Sequence, residues 1–161
     1  LERQLVKKMP EGLVFKGKFD KVEMIGKDLH VRVVDYKTGN PDDHIKALQN
    51  VADIFSEECD DYLRQLIAYK MLYESGYRRR PVKEGQLVFL DPVKTSVKKY
   101  GMIESTFMNQ SVSLTPEMVK DYEKLVLEVW RKIKALEFPR LPEFDEKKCG
   151  YCPYQGICWK N

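Results

Sequence analysis

Apolar and polar positions alternate through the first part of the chain, then give way to helical spacing. From Leu13 to Lys37 the alternation predicts two β-strands joined near Gly26-Lys27-Asp28, a glycine-aspartate turn signal. Residues 1–9 mix charge with Leu5, Val6 and Met9, which predicts the tail of a helix ending at Pro10. Residues 40–59 are polar and unpatterned at first, then weakly helical, and read as an insertion. In "DDYLRQLIAYKMLYESG" apolar side chains recur at Leu63, Leu66, Ile67 and Leu72. That spacing predicts a helix with Asp60 or Asp61 as N-cap and Gly76 at its close. "GQLVFLDP" and "KKYGMIESTF" read as two more strands. "LTPEMVKDYEKLVLEVWRKIKAL" predicts a second helix with Thr115 as N-cap and Pro116 in the first turn. Val119, Tyr122, Leu125, Val129, Ile133 and Leu136 would be its buried stripe. A proline-rich connector then leads into "CGYCPYQGIC". The order of elements predicts an α/β fold, a central mixed sheet flanked by helices, with a cysteine-bearing tail over residues 137–161.

The hairpin can be registered by its own patterning. If the turn centres between Lys27 and Asp28, Val22 faces Val33 and Met24 faces Val31 on one apolar face. Glu23 then faces Arg32 on the other side, an opposite-charge pair. A slip of one residue would set apolar against polar throughout. In this register Asp20 lies across from Asp35 on the apolar face, with Lys37 two residues further on; Glu23 points away.

Paired residues have Cβ atoms ~5 Å apart, so two partly buried carboxylates there repel unless a cation lies between them. Oxygen ligands suit a hard ion, Mg²⁺ or Mn²⁺, that keeps waters and can bind phosphate. A metal-bound water beside the Lys37 ammonium suits phosphodiester hydrolysis. Taken alone, an Asp-x-Lys at a strand end is usually a solvated edge with a local ion pair. The cross-strand Asp20 makes the metal site an equal reading.

Composition changes this picture little. The 161 residues, 43% hydrophobic and 33% charged, suit one soluble globular domain with a proper core. No run approaches the ~18 apolar residues of a membrane span, and no signal peptide is visible, so a cytoplasmic protein is expected. The net charge of +3 does not by itself predict nucleic-acid binding. Because the chain opens on Leu1, an N-terminal segment is expected to be missing.

Three of four cysteines, Cys149, Cys152 and Cys158, crowd into the last thirteen residues, which points to a metal or cluster site before a disulfide framework. Three thiolates are one short of a tetrahedral set. Cys59 is a candidate fourth, zinc is the chemical alternative to an iron–sulfur cluster, and three free cysteines is the plain alternative.

"GKFDKVEM" followed by "VVDYKTG" resembles the RecB-like branch of the PD-(D/E)XK nuclease superfamily, and "QLIAY" resembles the Gln-x-x-x-Tyr element that follows in that group. The resemblance covers roughly residues 13–75. It implies a restriction-endonuclease-like core in which Asp20, Asp35 and the Tyr36 carbonyl bind Mg²⁺ or Mn²⁺ and Lys37 is catalytic. Gln65 and Tyr69, one turn apart, would contact DNA or steady the metal-site water; plain packing is the alternative for both. The family's earlier helix, with a His or Glu that completes the metal site, has no counterpart, since neither His30 nor His44 precedes the first motif.

The cysteine tail is similar to that of the iron–sulfur, AddB-type members, whose first cysteine precedes the nuclease core and whose [4Fe–4S] cluster staples the chain. By this resemblance the chain is the C-terminal domain of a DNA repair and recombination helicase–nuclease. It would be a DNA exonuclease partnered by a helicase domain or subunit. Two other readings stand beside it: a non-catalytic DNA-binding or scaffolding domain, and a free-standing CRISPR-associated nuclease. Arg78, Arg79, Arg80 and, more weakly, Lys18 are candidate phosphate contacts, with a solvated loop as the alternative for the arginine run.

Overall fold

The computed structural model describes residues 4–28, 30–38, 53–77, 80–90, 93–94, 105–106 and 108–159. They fall into two compact units, Leu1–Leu127 and Glu128–Asn161.

The first unit begins with a strand, not a helix tail. β1 (Leu5–Lys8) pairs antiparallel with β2 (Val14–Gly17), Leu5 opposite Gly17 and Lys8 opposite Val14. A helix of nine residues with few apolar contacts is marginal, whereas a hairpin gives this segment a partner at once. The span from Leu13 to Lys37 holds three strands where two are expected, because Lys18, Phe19 and Asp20 separate β2 from β3 (Lys21–Ile25). β4 (His30–Lys37) follows in the expected register, Val22 opposite Val33, Glu23 opposite Arg32 and Met24 opposite Val31. Arg32 is shared between Glu23 at 3.6 Å and Glu84 at 2.9 Å, so the charge pair extends to the next strand.

β3 and β4 form a four-stranded mixed sheet with β5 (Val82–Phe89) and β8 (Asn109–Ser113), in the order β3-β4-β5-β8. β5 runs parallel to β4 and is reached through α1 (Asp61–Gly76), as a parallel pair requires a crossover. β8 returns antiparallel to β5. Two-residue strands β6 (Val93–Lys94) and β7 (Ser105–Thr106) make a separate ladder. Most of "KKYGMIESTF" and residues 40–52 of the expected insertion lie outside the described residues.

The Asp60 carboxylate caps α1 by accepting the Tyr62 N–H at 2.7 Å. The helix buries Leu63, Leu66 and Ile67 against Val31, Val33, Val82, Leu87 and Phe89, each large apolar side chain worth ~1.5–3 kcal/mol. Gly85 permits this approach: a Cβ there would stand 3.0 Å from Leu66 and 3.1 Å from Leu114. At the far end of α1, Lys70 is 2% exposed and grips Glu74 at 2.7 Å and the Val82 carbonyl. Glu74 also accepts the Val82 N–H at 2.8 Å, fixing the start of β5 to the helix. The end of the expected insertion joins the core through Ile54 and Cys59, and Arg64 holds the Ile54 and Ser56 carbonyls.

Two expectations about burial are overturned. Val22 and Met24 share a sheet face with Val31 and Val33 but are 38% and 60% exposed, because α1 covers β4 and β5 and not the edge strand β3. α2 (Pro116–Lys134), capped by the Thr115 hydroxyl accepting the Met118 N–H at 3.3 Å, buries no residue fully. Met118, Val119 and Tyr122 pack partly against the core, but Val129, Ile133 and Leu136 are exposed. Periodicity marks which face is apolar; it does not supply a cover for it.

The second unit contains two single-turn helices, α3 (Glu146–Cys149) and α4 (Gln155–Cys158). Asp145 caps α3, and Trp159 meets the Phe144 ring edge-on at 5.5 Å and the Arg140 guanidinium at 3.9 Å. Among the described residues no helix is long and apolar enough to cross a membrane.

Candidate active site

The C-terminal end of β4 carries Asp35 and Lys37 on one face, the face under α1, because side chains two apart in a strand point the same way. Asp35 is 2% exposed. A carboxylate so placed needs partners, and the fold supplies three. The Lys37 ammonium lies 2.7 Å from Asp35 Oδ2, while Tyr69 Oη and Gln65 Nε2 donate to Asp35 Oδ1 at 2.9 and 3.1 Å. Gln65 reaches both members of the pair, since its Oε1 accepts from Lys37 Nζ at 2.5 Å; its amide also donates to Tyr69 Oη at 2.9 Å. The Asp-x-Lys and Gln-x-x-x-Tyr elements are therefore one connected network.

Asp20 arrives differently from expectation. The β3–β4 ladder ends at Lys21 opposite Val34, and Asp20 sits in the bend before it. Its Oδ2 accepts the Tyr36 N–H at 2.9 Å, so the carboxylate is tied to the main chain of β4 instead of standing as a cross-strand partner of Asp35. Phe19 packs edge-on against Tyr69 at 5.1 Å, at the same break between β2 and β3. In an extended strand the N–H and C=O of one residue share a side. The Tyr36 carbonyl thus faces the Asp20 side, whereas the Lys37 carbonyl accepts from Leu90 on the β5 side at 2.8 Å.

Burial, and then the Asp35 charge and hydrogen bond, push the Tyr69 hydroxyl far above its ordinary value, with a smaller contribution from Asp20. Tyr69 is therefore a fixed donor to Asp35 at neutral pH.

A divalent cation fits the donors at this end of β4. Asp35 Oδ2 is buried without a hydrogen-bond partner, facing only the Lys37 charge. Asp20 and the Tyr36 carbonyl offer further oxygens from the adjoining side, a set suited to a hard ion that keeps its waters. Among the described residues, no group of three or more His, Cys, Asp and Glu side chains could hold a metal ion. The site therefore lacks a third carboxylate within them, and the three tail cysteines do not form such a group. Cys149 ends α3, Cys152 follows it in a turn, and Cys158 ends α4. Cys59 is in the apolar core, where burial pushes its thiol up and disfavours the thiolate a metal needs.

Of the candidate phosphate contacts, Arg80 stands away from this site. Arg80 precedes β5 and lies against Met24, at the end of the sheet where Val31 pairs with Val82. Lys37 pairs with Phe89, six residues further along β4, a span of ~20 Å. Lys18 is exposed, in the short segment between β2 and β3 that also carries Asp20. Arg78 and Arg79 lie outside the described residues.

Tyr62 is a site residue that pattern reading missed. Lys37 Nζ stands 4.1 Å from the centre of its ring, a cation–π contact that holds the ammonium from a third direction. Its position three residues before Gln65, on the same helix face, was the available signal.

No curated protein matches the sequence. The family model of the PD-(D/E)XK nuclease superfamily matches residues 1–159, nearly the whole chain. With the mixed sheet and the strand-end Asp35–Lys37 pair, that match assigns the chain: it belongs to the PD-(D/E)XK nuclease superfamily.

Proposed function

We propose that the chain is the divalent-metal-dependent deoxyribonuclease domain of a DNA repair and recombination helicase–nuclease, acting as an exonuclease. The observation that carries the reading is the buried Asp35–Lys37 pair locked by Gln65 and Tyr69. Nucleases of this superfamily typically use divalent metals. Asp20, Asp35 and the Tyr36 carbonyl are the groups that would hold Mg²⁺ or Mn²⁺. When bound, the ion would offset phosphate charge and make a water more acidic.

Charge supports this. At formal charge, two carboxylates and one ammonium leave one net negative charge, and a phosphodiester makes two, which one divalent cation balances. Within the chain, Lys37 supplies the positive group for the attacking water or the phosphate oxygen where charge develops. Gln65 and Tyr62 restrict its ammonium to the Asp35 side, and Tyr69 keeps one Asp35 oxygen occupied so that Oδ2 stays aimed at the reaction. The arrangement is preorganised, which is where such sites gain most of their rate.

The cysteine triple supports a cluster-bearing tail. Cys149 is the sole buried residue among those described in Glu128–Asn161. A unit that small needs a cross-link or a metal to hold its turns. We assign Cys149, Cys152 and Cys158 as three ligands of a [4Fe–4S] cluster or a zinc ion, the fourth coming from elsewhere in the protein. A second reading, DNA binding without cleavage, draws on one observation: the described residues bring no third acid to the site.

Labelled DNA incubated with the protein and Mg²⁺ or Mn²⁺ separates the two. Wild type should cut, and Lys37→Ala or Asp35→Ala should lower the rate by about 10²-fold or more. Equal cutting by both variants, with their fold verified by circular dichroism, would sink the assignment; binding without cleavage at saturating metal would favour the second reading.

A further inference from the structure

A cleft of about 320 Å³ opens on the α1 side of β3, next to the strand-end site. One wall is a pair of tyrosines, Tyr73 on α1 and Tyr77 just past its C-terminal end, stacked on each other with ring centroids 4.9 Å apart and planes at 26°. Phe19 stands edge-on to Tyr73 at 6.3 Å, and Leu5 and Val22 add apolar surface. The polar groups are Asp20 and Lys21, the latter paired with Glu23 at 2.6 Å. This is the sheet face that α1 leaves open, which is why Val22 and Tyr77 are each 38% exposed.

The chemistry is that of a slot for a flat, π-faced group with polar edges. Aromatic walls stack on a base whatever its sequence, and a carboxylate and an ammonium can meet the donors and acceptors on its edge. Position narrows the choice of ligand. Asp20 lines the cleft and also holds the Tyr36 N–H, and Phe19 packs against both Tyr73 and Tyr69, the donor to Asp35. The cleft is thus continuous with the place where the scissile phosphate would sit, and the group carried beside that phosphate on DNA is a nucleobase.

We propose that the Phe19–Tyr73–Tyr77 cleft is a nucleobase subsite that seats one unpaired base next to the scissile phosphate. Single-stranded or frayed DNA is then the form the site accepts, because a base inside a duplex must first be unstacked and unpaired. This deepens the nuclease reading and rests on it.

Fluorescence anisotropy, with Ca²⁺ in place of Mg²⁺, tests it on three labelled DNAs: a short single strand, the same strand with one abasic nucleotide stepped along it, and the blunt duplex. The single strand should bind at least about five-fold tighter than the duplex, and an abasic nucleotide at one position should cost about five-fold or more. Tyr77→Ala should bind the intact strand as wild type binds the abasic one and lose the dependence on abasic position. Tyr77→Phe, which keeps the ring, should behave as wild type. The Tyr77 cap bond uses only main chain, N–H to the Tyr73 carbonyl at 2.8 Å, so these variants keep the helix end.

The subsite is overturned if Tyr77→Ala keeps wild-type affinity and abasic sensitivity, or if duplex binds as tightly as single strand. Cleavage that requires Lys37 but ignores Tyr77 and abasic nucleotides removes the subsite and leaves the nuclease reading standing. Tyr77-dependent, base-sensitive binding by a protein that cuts nothing supports the subsite and removes the nuclease reading instead.

Discussion

Asp35 is an ionisable group at 2% exposure, so its neighbours decide whether its charge is tolerable. Lys37 supplies the counter-charge and Tyr69 and Gln65 the hydrogen bonds. The Tyr69 hydroxyl, raised by burial and by Asp35, carries a pH signature. In the unfolded chain a tyrosine loses its proton near pH 10, whereas folded Tyr69 keeps it to higher pH. Its contribution to stability is therefore complete below about pH 10 and is lost as pH rises through the folded value. Melting temperatures measured from pH 9 upward should fall beyond pH 10, and fall less steeply in Tyr69→Phe. Tyr73 and Tyr122, also raised by burial, should keep part of the slope. Identical slopes in the two proteins would show that Tyr69 is not held as described. Asp35 and Lys37 were legible from spacing, being two apart in a strand, whereas Gln65 and Tyr69 stood out through the resemblance to the RecB-like Gln-x-x-x-Tyr element. That the two pairs bond each other was not legible, because nothing local sets the distance between β4 and α1.

At the scale of elements, the seat of α1 on β4 and β5 determines whether Gln65 and Tyr69 reach Asp35. Gly85 is the point of closest approach, with Leu66 and Leu114 above it. Gly85→Val should push α1 outward, cost about 1–3 kcal/mol by overpacking and lower cleavage along with stability. Denaturant unfolding is the measurement, and an unchanged midpoint would refute the close contact. Lys70 fixes the other end of the same interface. Its loss leaves Glu74 and the Val82 carbonyl without their cation, so Lys70→Ala should cost about 3–5 kcal/mol. An unfolding midpoint close to wild type would show that this clamp contributes little. The β3–β4 register was readable because a one-residue slip exchanges the two faces of a strand. Where β3 begins was not, since Phe19 leaves the strand to pack on Tyr69, a contact fifty residues away in the chain.

For the molecule as a whole, the two units differ in what holds them. Leu1–Leu127 has a continuous apolar core, while Glu128–Asn161 exposes Leu136, Phe138, Tyr154 and Ile157 and buries only Cys149 among its described residues. Protein purified without oxygen should carry iron with acid-labile sulfide, or zinc, bound through the cysteine tail. Cys152→Ser should lose that metal and make the second unit protease-sensitive, while the first keeps its melting transition. Metal-free protein with three fully reactive tail thiols would remove the cluster assignment.

The sequence by itself determined the hairpin register, the two long helices with their caps, the Asp-x-Lys and Gln-x-x-x-Tyr spacings and the cysteine triple. Each is a property of neighbours in the chain, where strand and helix periods of 2 and 3.6 residues act directly. Only the tertiary structure decided that Asp20 meets the Tyr36 main chain, that α1 leaves β3 uncovered beside an aromatic cleft, and that Arg80 stands at the far end of the sheet from Lys37. Those outcomes depend on which elements compete for one face of the sheet, and that competition is settled by packing between segments far apart in the chain.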